Sequence, residues 1–333
     1  MRICTIFTGG TIGSKVNDGG TISTDNEVNY TLIQQYRKNH GRDIIFDTTE
    51  PYTILSENLM AEHLRKLILA IGDELAKGIY DGIIVTHGTD TQQYSAAVLD
   101  YVFANAPVPI VLVSSNYVLD DPRSNGPVNF LAAVDFIREH RGKGVFLSYC
   151  NAGDVPTIHR GTRLQSMIPV SDNVYSVLDK WYCKYVDGEY VSNPDYKPSE
   201  ENNIIFPDYK AVKLEDFSTA ILRVFPYPGM AYPEIPESTR AILHESFHSG
   251  TICISEDLVN FAGEAQRRNI PIFLTGLNSY EAEYETVEMY RKEGIIPLPN
   301  CAGIAQYCKL WLLLSNDLDV MEYMFKSTGE DFI

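Results

Sequence analysis

The sequence predicts an α/β protein with a larger N-terminal parallel-sheet domain and a smaller C-terminal α/β domain. Three observations carry this. Short β-branched apolar runs at 83–85, 109–114 and 145–149 read as strands buried on both faces. Stretches of helical spacing separate them, and strands alternating with helices build a mainly parallel sheet covered on both sides. From 194 to 216 the composition shifts to Pro194, Pro198, Glu200, Glu201, Asn202, Asn203 and Pro207, a linker pattern. The predicted division is 1–193, a linker at 194–216, and 217–333.

Composition narrows the function classes. A chain of 333 residues is long enough for two cores. The formal charge of -17 argues against nucleic acid or an anionic membrane as partner, since both need basic surface. No apolar run reaches membrane-spanning length, the longest candidate being near 311–315. The chain enters a strand at residues 2–7 without an apolar leader, and its six cysteines are scattered. Together these predict a cytoplasmic protein with reduced thiols.

In order along the chain, the first strand breaks at Thr8-Gly9-Gly10-Thr11-Ile12-Gly13. Paired glycines permit positive φ and close backbone approach, so Thr11 can present hydroxyl and amide to a ligand. This is not a dinucleotide fingerprint, which needs Gly-x-Gly-x-x-Gly. Asn17, Asp18, Gly19 and Gly20 predict a mobile loop of the kind that closes over sites, or a surface hairpin. Ser56 is expected to cap a helix with Leu59, Leu64, Leu67, Ile68 and Ile71 on its buried side.

The central stretch is 83–91, IIVTHGTDT. Its apolar run stops at Thr86, His87, Gly88, Thr89, Asp90 and Thr91, ahead of a helix pattern from Ala96 to Phe103. The polar cluster thus lies at the carboxyl end of a buried parallel strand, where open α/β sheets hold ligands. Thr89 and Asp90 also sit at a helix amino terminus, and a plain helix cap is the competing reading. The next strand ends in Ser115-Asn116, a turn follows at 123–127, and 130–140 reads as a helix. Past the linker, strands are expected at 220–225, 240–243, 270–275 and 294–298, with a closing helix at 303–314.

Two further motifs compete for attention. His244-Glu245-Ser246-Phe247-His248 has the letters of a zinc-protease helix. Ala241, Ile242 and Leu243 predict a strand instead, on which positions four apart lie about 13 Å from each other. No metal is expected there. His87 reads as a packed, hydrogen-bonded histidine, and Cys301 and Cys308 as core.

The two hydroxyl turns TGGTIG and THGTDT, about eighty residues apart, resemble those of the bacterial L-asparaginase family. RSNGPVNF at 123–130, RGTR at 160–163 and VFPYPGM at 224–230 resemble further family segments, closest to the cytoplasmic type I. The resemblance implies a flavodoxin-like first domain, no cofactor, and a homodimer or homotetramer. It implies hydrolysis of L-asparagine to L-aspartate and ammonia, with Thr11 as nucleophile and Thr89 in a proton-handling Thr-Lys-Asp set. Asp90 would hold the substrate ammonium and Ser56 its carboxylate, with Glu57, Gly10, Gly88 and Ser115 completing the contacts. The chain departs from the family where its lysine is expected, three residues after Arg163, and carries Ser166 there. Thr21 stands for a loop tyrosine, Asn125 for an aspartate, and Thr251 for an asparagine. Lys15 or His159 are the groups that could replace the lysine. Losing a general base costs about a hundredfold to ten-thousandfold in rate. A non-catalytic protein binding a small amino acid, and an amidohydrolase for a related amide, are therefore the alternatives.

Overall fold

The computed structural model describes residues 1–16, 22–24, 26–199, 201–216, 220–276 and 285–333. Thr21 lies outside them. The first half runs β1 (Arg2–Phe7), β2 (Ser14–Val16), β3 (Ile22–Thr24), α1 (Asn26–His40), β4 (Ile45–Thr49), α2 (Ala61–Ala76), β5 (Gly82–Thr86) and α3 (Gln92–Val102). Then come β6 (Pro109–Val113), α4 (Gly126–Arg138), β7 (Gly144–Cys150), β8 (Pro156–Arg160), β9 (Cys183–Val186) and β10 (Glu189–Ser192).

Eight of these strands form one sheet in the order β10-β9-β8-β7-β6-β5-β1-β4. The five from β7 to β4 are parallel, and β8, β9 and β10 extend the sheet antiparallel. Ile83 and Val85 face α2 and α3 while Ile84 faces α1 and α4, which is why the run is continuously apolar. From β1 the chain passes to β4 on one side and then to β5 on the other. That reversal makes the gap beyond the carboxyl ends of β1 and β5 a switch point, where crevices form in such sheets.

The second sheet contains β11 (Ile221–Val224), β12 (Ala241–His244), β13 (Ile272–Leu274) and β14 (Ile295–Pro297), all parallel and in sequence order. α5 (Glu256–Arg267) and α6 (Glu285–Lys292) cover one face; α7 (Gly303–Ser315) covers the other, followed by the short α8 (Val320–Tyr323). α7 is buried from Ile304 to Ser315 because it is clasped between this sheet and α3. Between the sheets, Tyr196, Ser199 and Asn203 bond to the chain's last residues, and Tyr209 and Lys210 meet α2. Ile205, Phe206 and Val212 are buried, the Tyr209 hydroxyl donates to Asp73 at 2.7 Å, and its ring covers Gly72.

Several sequence expectations need correction. Ser56 does not cap the helix: it opens a single 3₁₀ turn at Ser56–Asn58, and α2 starts five residues later behind Met60. The expected buried side, Leu59, Leu64, Leu67, Ile68 and Ile71, is nonetheless buried. α4 begins at Gly126, inside the expected turn, because Pro127 fits the first turn of a helix, where its missing N–H costs nothing. β4, β8, β9 and β10 were not expected; β4, β9 and β10 are half-exposed and lack a long apolar run, and β8 carries Thr157, His159 and Arg160. Ser14–Val16 and Ile22–Thr24 pair antiparallel as β2 and β3, and the expected loop residues Asn17, Asp18, Gly19 and Gly20 lie outside the described residues.

The RGTR segment lies at the far end of the sheet from the switch point. Arg160 makes a two-pronged pair with Asp100 at 2.7 and 2.8 Å, both residues fully buried. Arg163 donates to the carbonyls of Glu330, Lys197 and Phe332 and stacks on Tyr196. Both arginines hold the chain's last residues to α3 and β8.

Candidate active site

At the switch point the two hydroxyl turns come into backbone contact. Thr8 Oγ1 donates to the Thr86 carbonyl at 2.6 Å and ties the ends of β1 and β5. Gly9 and Gly10 then take φ +95° and +75°. A methyl group on Gly10 would sit 2.4 Å from Cα and N of Gly88, and one on Gly88 would sit 2.4 Å from Ser56 Oγ. Only glycine permits that approach. The structure thus brings Gly10, Gly88 and Ser56 together from three separate segments.

Thr11 starts a 3₁₀ turn, Thr11–Gly13, fixed by Gly13 N and Ser14 Oγ, which both donate to the Gly10 carbonyl at 3.0 and 2.7 Å. Buried Ile12 anchors the turn in the core and leaves Thr11 partly exposed. On the facing turn Thr89 is partly exposed and Asp90 is exposed. Ser56 Oγ approaches Asp90 Oδ2 at 3.4 Å, and Thr91 Oγ1 donates to the Ser56 carbonyl at 2.9 Å. Among the described residues, the Thr11 and Thr89 hydroxyls have no hydrogen-bond partner, so both remain available to a ligand. Glu57, next to Ser56, is exposed. Thr91 was missed by sequence reasoning; its place in the THGTDT cluster was the available signal.

His87 supports the second turn from below. Its Nδ1 lies 2.8 Å from the Gly88 carbonyl and its Nε2 2.8 Å from Ser95 Oγ. Burial lowers its pKa and keeps the ring neutral. A carbonyl only accepts, so Nδ1 carries the proton and Ser95 donates to Nε2. The packed reading holds.

Other candidates lie elsewhere. The Ser115 hydroxyl donates to the Tyr117 carbonyl at 2.6 Å and accepts from Gly126 N at 3.2 Å, securing the start of α4. The Asn125 side chain donates to the Cys150 carbonyl at 2.9 Å, a bond an aspartate there could not make. Ser166 is exposed beyond the Leu164–Ser176 bridge, with no hydrogen bond to Thr89. His159 is buried on β8 with Nδ1 at 2.8 Å from Ser176 Oγ, and burial holds its pKa at about 3. Its ring is engaged with Ser176 and has no hydrogen bond to Thr89. Lys15 is exposed on β2. Thr251 meets Ser249 in the turn after β12.

His244 ends strand β12, with Nε2 on the Tyr232 hydroxyl at 2.8 Å, whereas His248 is exposed in the following turn. Glu245 pairs with Arg223 and accepts from Thr275 Oγ1. The expected strand is thus found, and His244 and Glu245 go to different partners while His248 faces solvent. Among the described residues no group of three His, Cys, Asp or Glu side chains could hold a metal ion.

Buried His87, His159 and His244 all have lowered pKa values, with burial the leading cause. The unfolded chain then binds protons below about pH 6.5 that the native state refuses, so stability falls as pH drops through that value. Urea unfolding is expected to show a lower midpoint at pH 5.5 than at pH 7.5. An unchanged midpoint would count against neutral rings.

Two glycine-hinged hydroxyl turns thus meet at the switch point, the place where open α/β sheets hold ligands. The family model described as "Asparaginase, N-terminal" matches residues 2–189, and the chain belongs to the asparaginase family. It is 24% identical over 331 residues to an L-asparaginase of Thermococcus kodakarensis, covering 97% of this chain and 95% of that one. It is 34% identical over 173 residues to a subunit of glutamyl-tRNA(Gln) amidotransferase from Methanosarcina barkeri, a match spanning 50% of this chain and 39% of the relative. The corresponding amidotransferase subunit from Sulfurisphaera tokodaii is 26% identical, over 95% of this chain and 71% of the relative. In fold the chain is similar to the solved T. kodakarensis L-asparaginase and to L-asparaginase I of Vibrio cholerae. Each has a TM-score of 0.79 and 22% identity, with 100% of this chain and 99% of the other covered. No helix among the described residues is long and apolar enough to cross a membrane.

Proposed function

We propose that this chain hydrolyses the side-chain amide of a small amino acid of the asparagine class. The contact of Gly10 with Gly88, which brings the turns bearing Thr11 and Thr89 together, supports the reading. Thr11 Oγ attacks the amide carbon, the C–N bond breaks and ammonia leaves, and water then cleaves the acyl ester to release the acid. Backbone N–H groups of the first turn face the developing oxyanion. Asp90 takes the substrate ammonium and Ser56 its carboxylate, while Thr89 serves proton transfer. The same reading includes cytoplasmic location and a homodimer or homotetramer, both supported by the family resemblance. It uses no cofactor.

Ser166 favours a second reading, a protein that binds the amino acid without turnover, because a hydroxyl supplies neither the charge nor the basicity of an amine. Ammonia release from L-asparagine, measured beside calorimetric binding of L-aspartate, separates the two. Binding without release sinks hydrolysis, and neither binding nor release sinks both. Installing the amine in Ser166→Lys is expected to raise turnover about a hundredfold if 166 is the corresponding position. An unchanged rate in a variant that still binds L-aspartate removes that correspondence.

A further inference from the structure

A second concave site lies at the other end of the sheet. Arg37, Lys38 and Arg42 line a groove of about 740 Å³ together with Gln34, Ile44 and Ile45. In a chain with 27 Lys and Arg against 44 Asp and Glu, cations ordinarily find acids. Nearby Arg2 pairs with Asp47 and Arg138 with Asp135. None of the three groove cations has an ion pair among the described residues, and the charged side chains described on the lining are these cations, while neighbouring Asp43 lies toward Arg138 at 3.9 Å.

Their convergence is built by the backbone. Gly41 closes α1 at φ +94°, its N–H on the Arg37 carbonyl at 3.1 Å, and turns the chain so that Arg42 joins Arg37 and Lys38. Cations in a helix's last turn offset its dipole, which accounts for Arg37 and Lys38. Arg42 lies outside the helix, and the dipole does not account for it. The Arg37 guanidinium lies 5.8 Å from the centre of the Phe46 ring, and Ile45 is 56% exposed, so an apolar wall stands beside the charges.

We propose that this groove binds a multiply charged phosphate anion. One exposed ion pair contributes little, but three cations meeting a single polyanion act together, and a concave site focuses their field. Two guanidinium forks match phosphate oxygens better than they match a point charge. The groove is at the amino end of β4 and the crevice is beyond the carboxyl end of β1, so this site is independent of the proposed hydrolysis.

Calorimetry on the full chain at about 0.15 M ionic strength tests it, where charges beyond about 8 Å are screened. The probes are tripolyphosphate and metal-free adenosine triphosphate. Saturable one-to-one binding of tripolyphosphate is expected, about tenfold weaker or worse in Arg37→Gln/Arg42→Gln and unchanged in Arg267→Gln, an exposed control on α5. Tighter binding of the nucleotide than of tripolyphosphate assigns the ligand to nucleotides using the apolar wall; equal binding assigns it to polyphosphate itself. Absence of saturable binding, or equal weakening by Arg267→Gln, overturns the proposal. Should the double variant melt early, Lys38→Gln provides the same comparison.

Discussion

Replacing Thr11 by alanine is expected to lower ammonia release from L-asparagine by about a thousandfold or more while leaving L-aspartate binding within a few-fold of wild type. The split follows from the construction of the site. The Thr11 side chain is partly exposed and makes no hydrogen bond among the described residues, so its loss removes a reacting atom and little else. The turn is held by Gly13 N, Ser14 Oγ and buried Ile12, none of which needs the threonine hydroxyl. Thr11→Ser is expected to keep a measurable fraction of the rate, because the oxygen remains on the same backbone. If Thr11→Ala releases ammonia at the wild-type rate, another group is the nucleophile. If binding and release disappear together with an early melt, the turn has collapsed, and Thr11→Val, which keeps the branched shape, becomes the comparison.

Asp100→Ala is expected to cost about 3–5 kcal/mol, the usual penalty for stripping one partner from a buried ion pair. Asp100 accepts from Arg160 Nε and Nη2, from Val145 N at 3.1 Å and from Thr162 N at 3.3 Å, all in the interior. Without the carboxylate, Arg160 keeps two carbonyls, of Gly329 and Lys143, and a 3.7 Å approach to Glu330. Those do not neutralise a guanidinium that is 1% exposed. Against a total stability of about 5–15 kcal/mol, such a loss is a large share. Denaturant unfolding measures it, and a loss under about 1 kcal/mol would show that water reaches Arg160. Asp100→Asn keeps the shape and one acceptor, and should fall between.

The strands at 83–85, 109–113 and 145–149 were legible because parallel strands covered on both faces must be apolar throughout. β4, at the sheet edge, and the antiparallel β8–β10 were not, since half-exposed strands carry mixed residues that read as loop. The strand at 241–244 overrode the zinc-protease letters for the same reason: Ala241, Ile242 and Leu243 are core residues, and a strand separates side chains that a helix would gather. Ser56 lies against Gly88, but in a 3₁₀ turn and not at the start of α2. Its polar surroundings resemble a helix start, and only the packing of Gly88 against its side chain shows what the serine touches.

By itself, the sequence determined that two hydroxyl turns end two buried strands, because apolar periodicity and paired glycines are local properties. Only the tertiary structure decided that the turns meet, that Arg160 and Arg163 brace the far end of the sheet, and that three cations share one groove in an acidic chain. Each of these depends on which strand lies beside which, and strand order is set by long-range packing that no short stretch encodes.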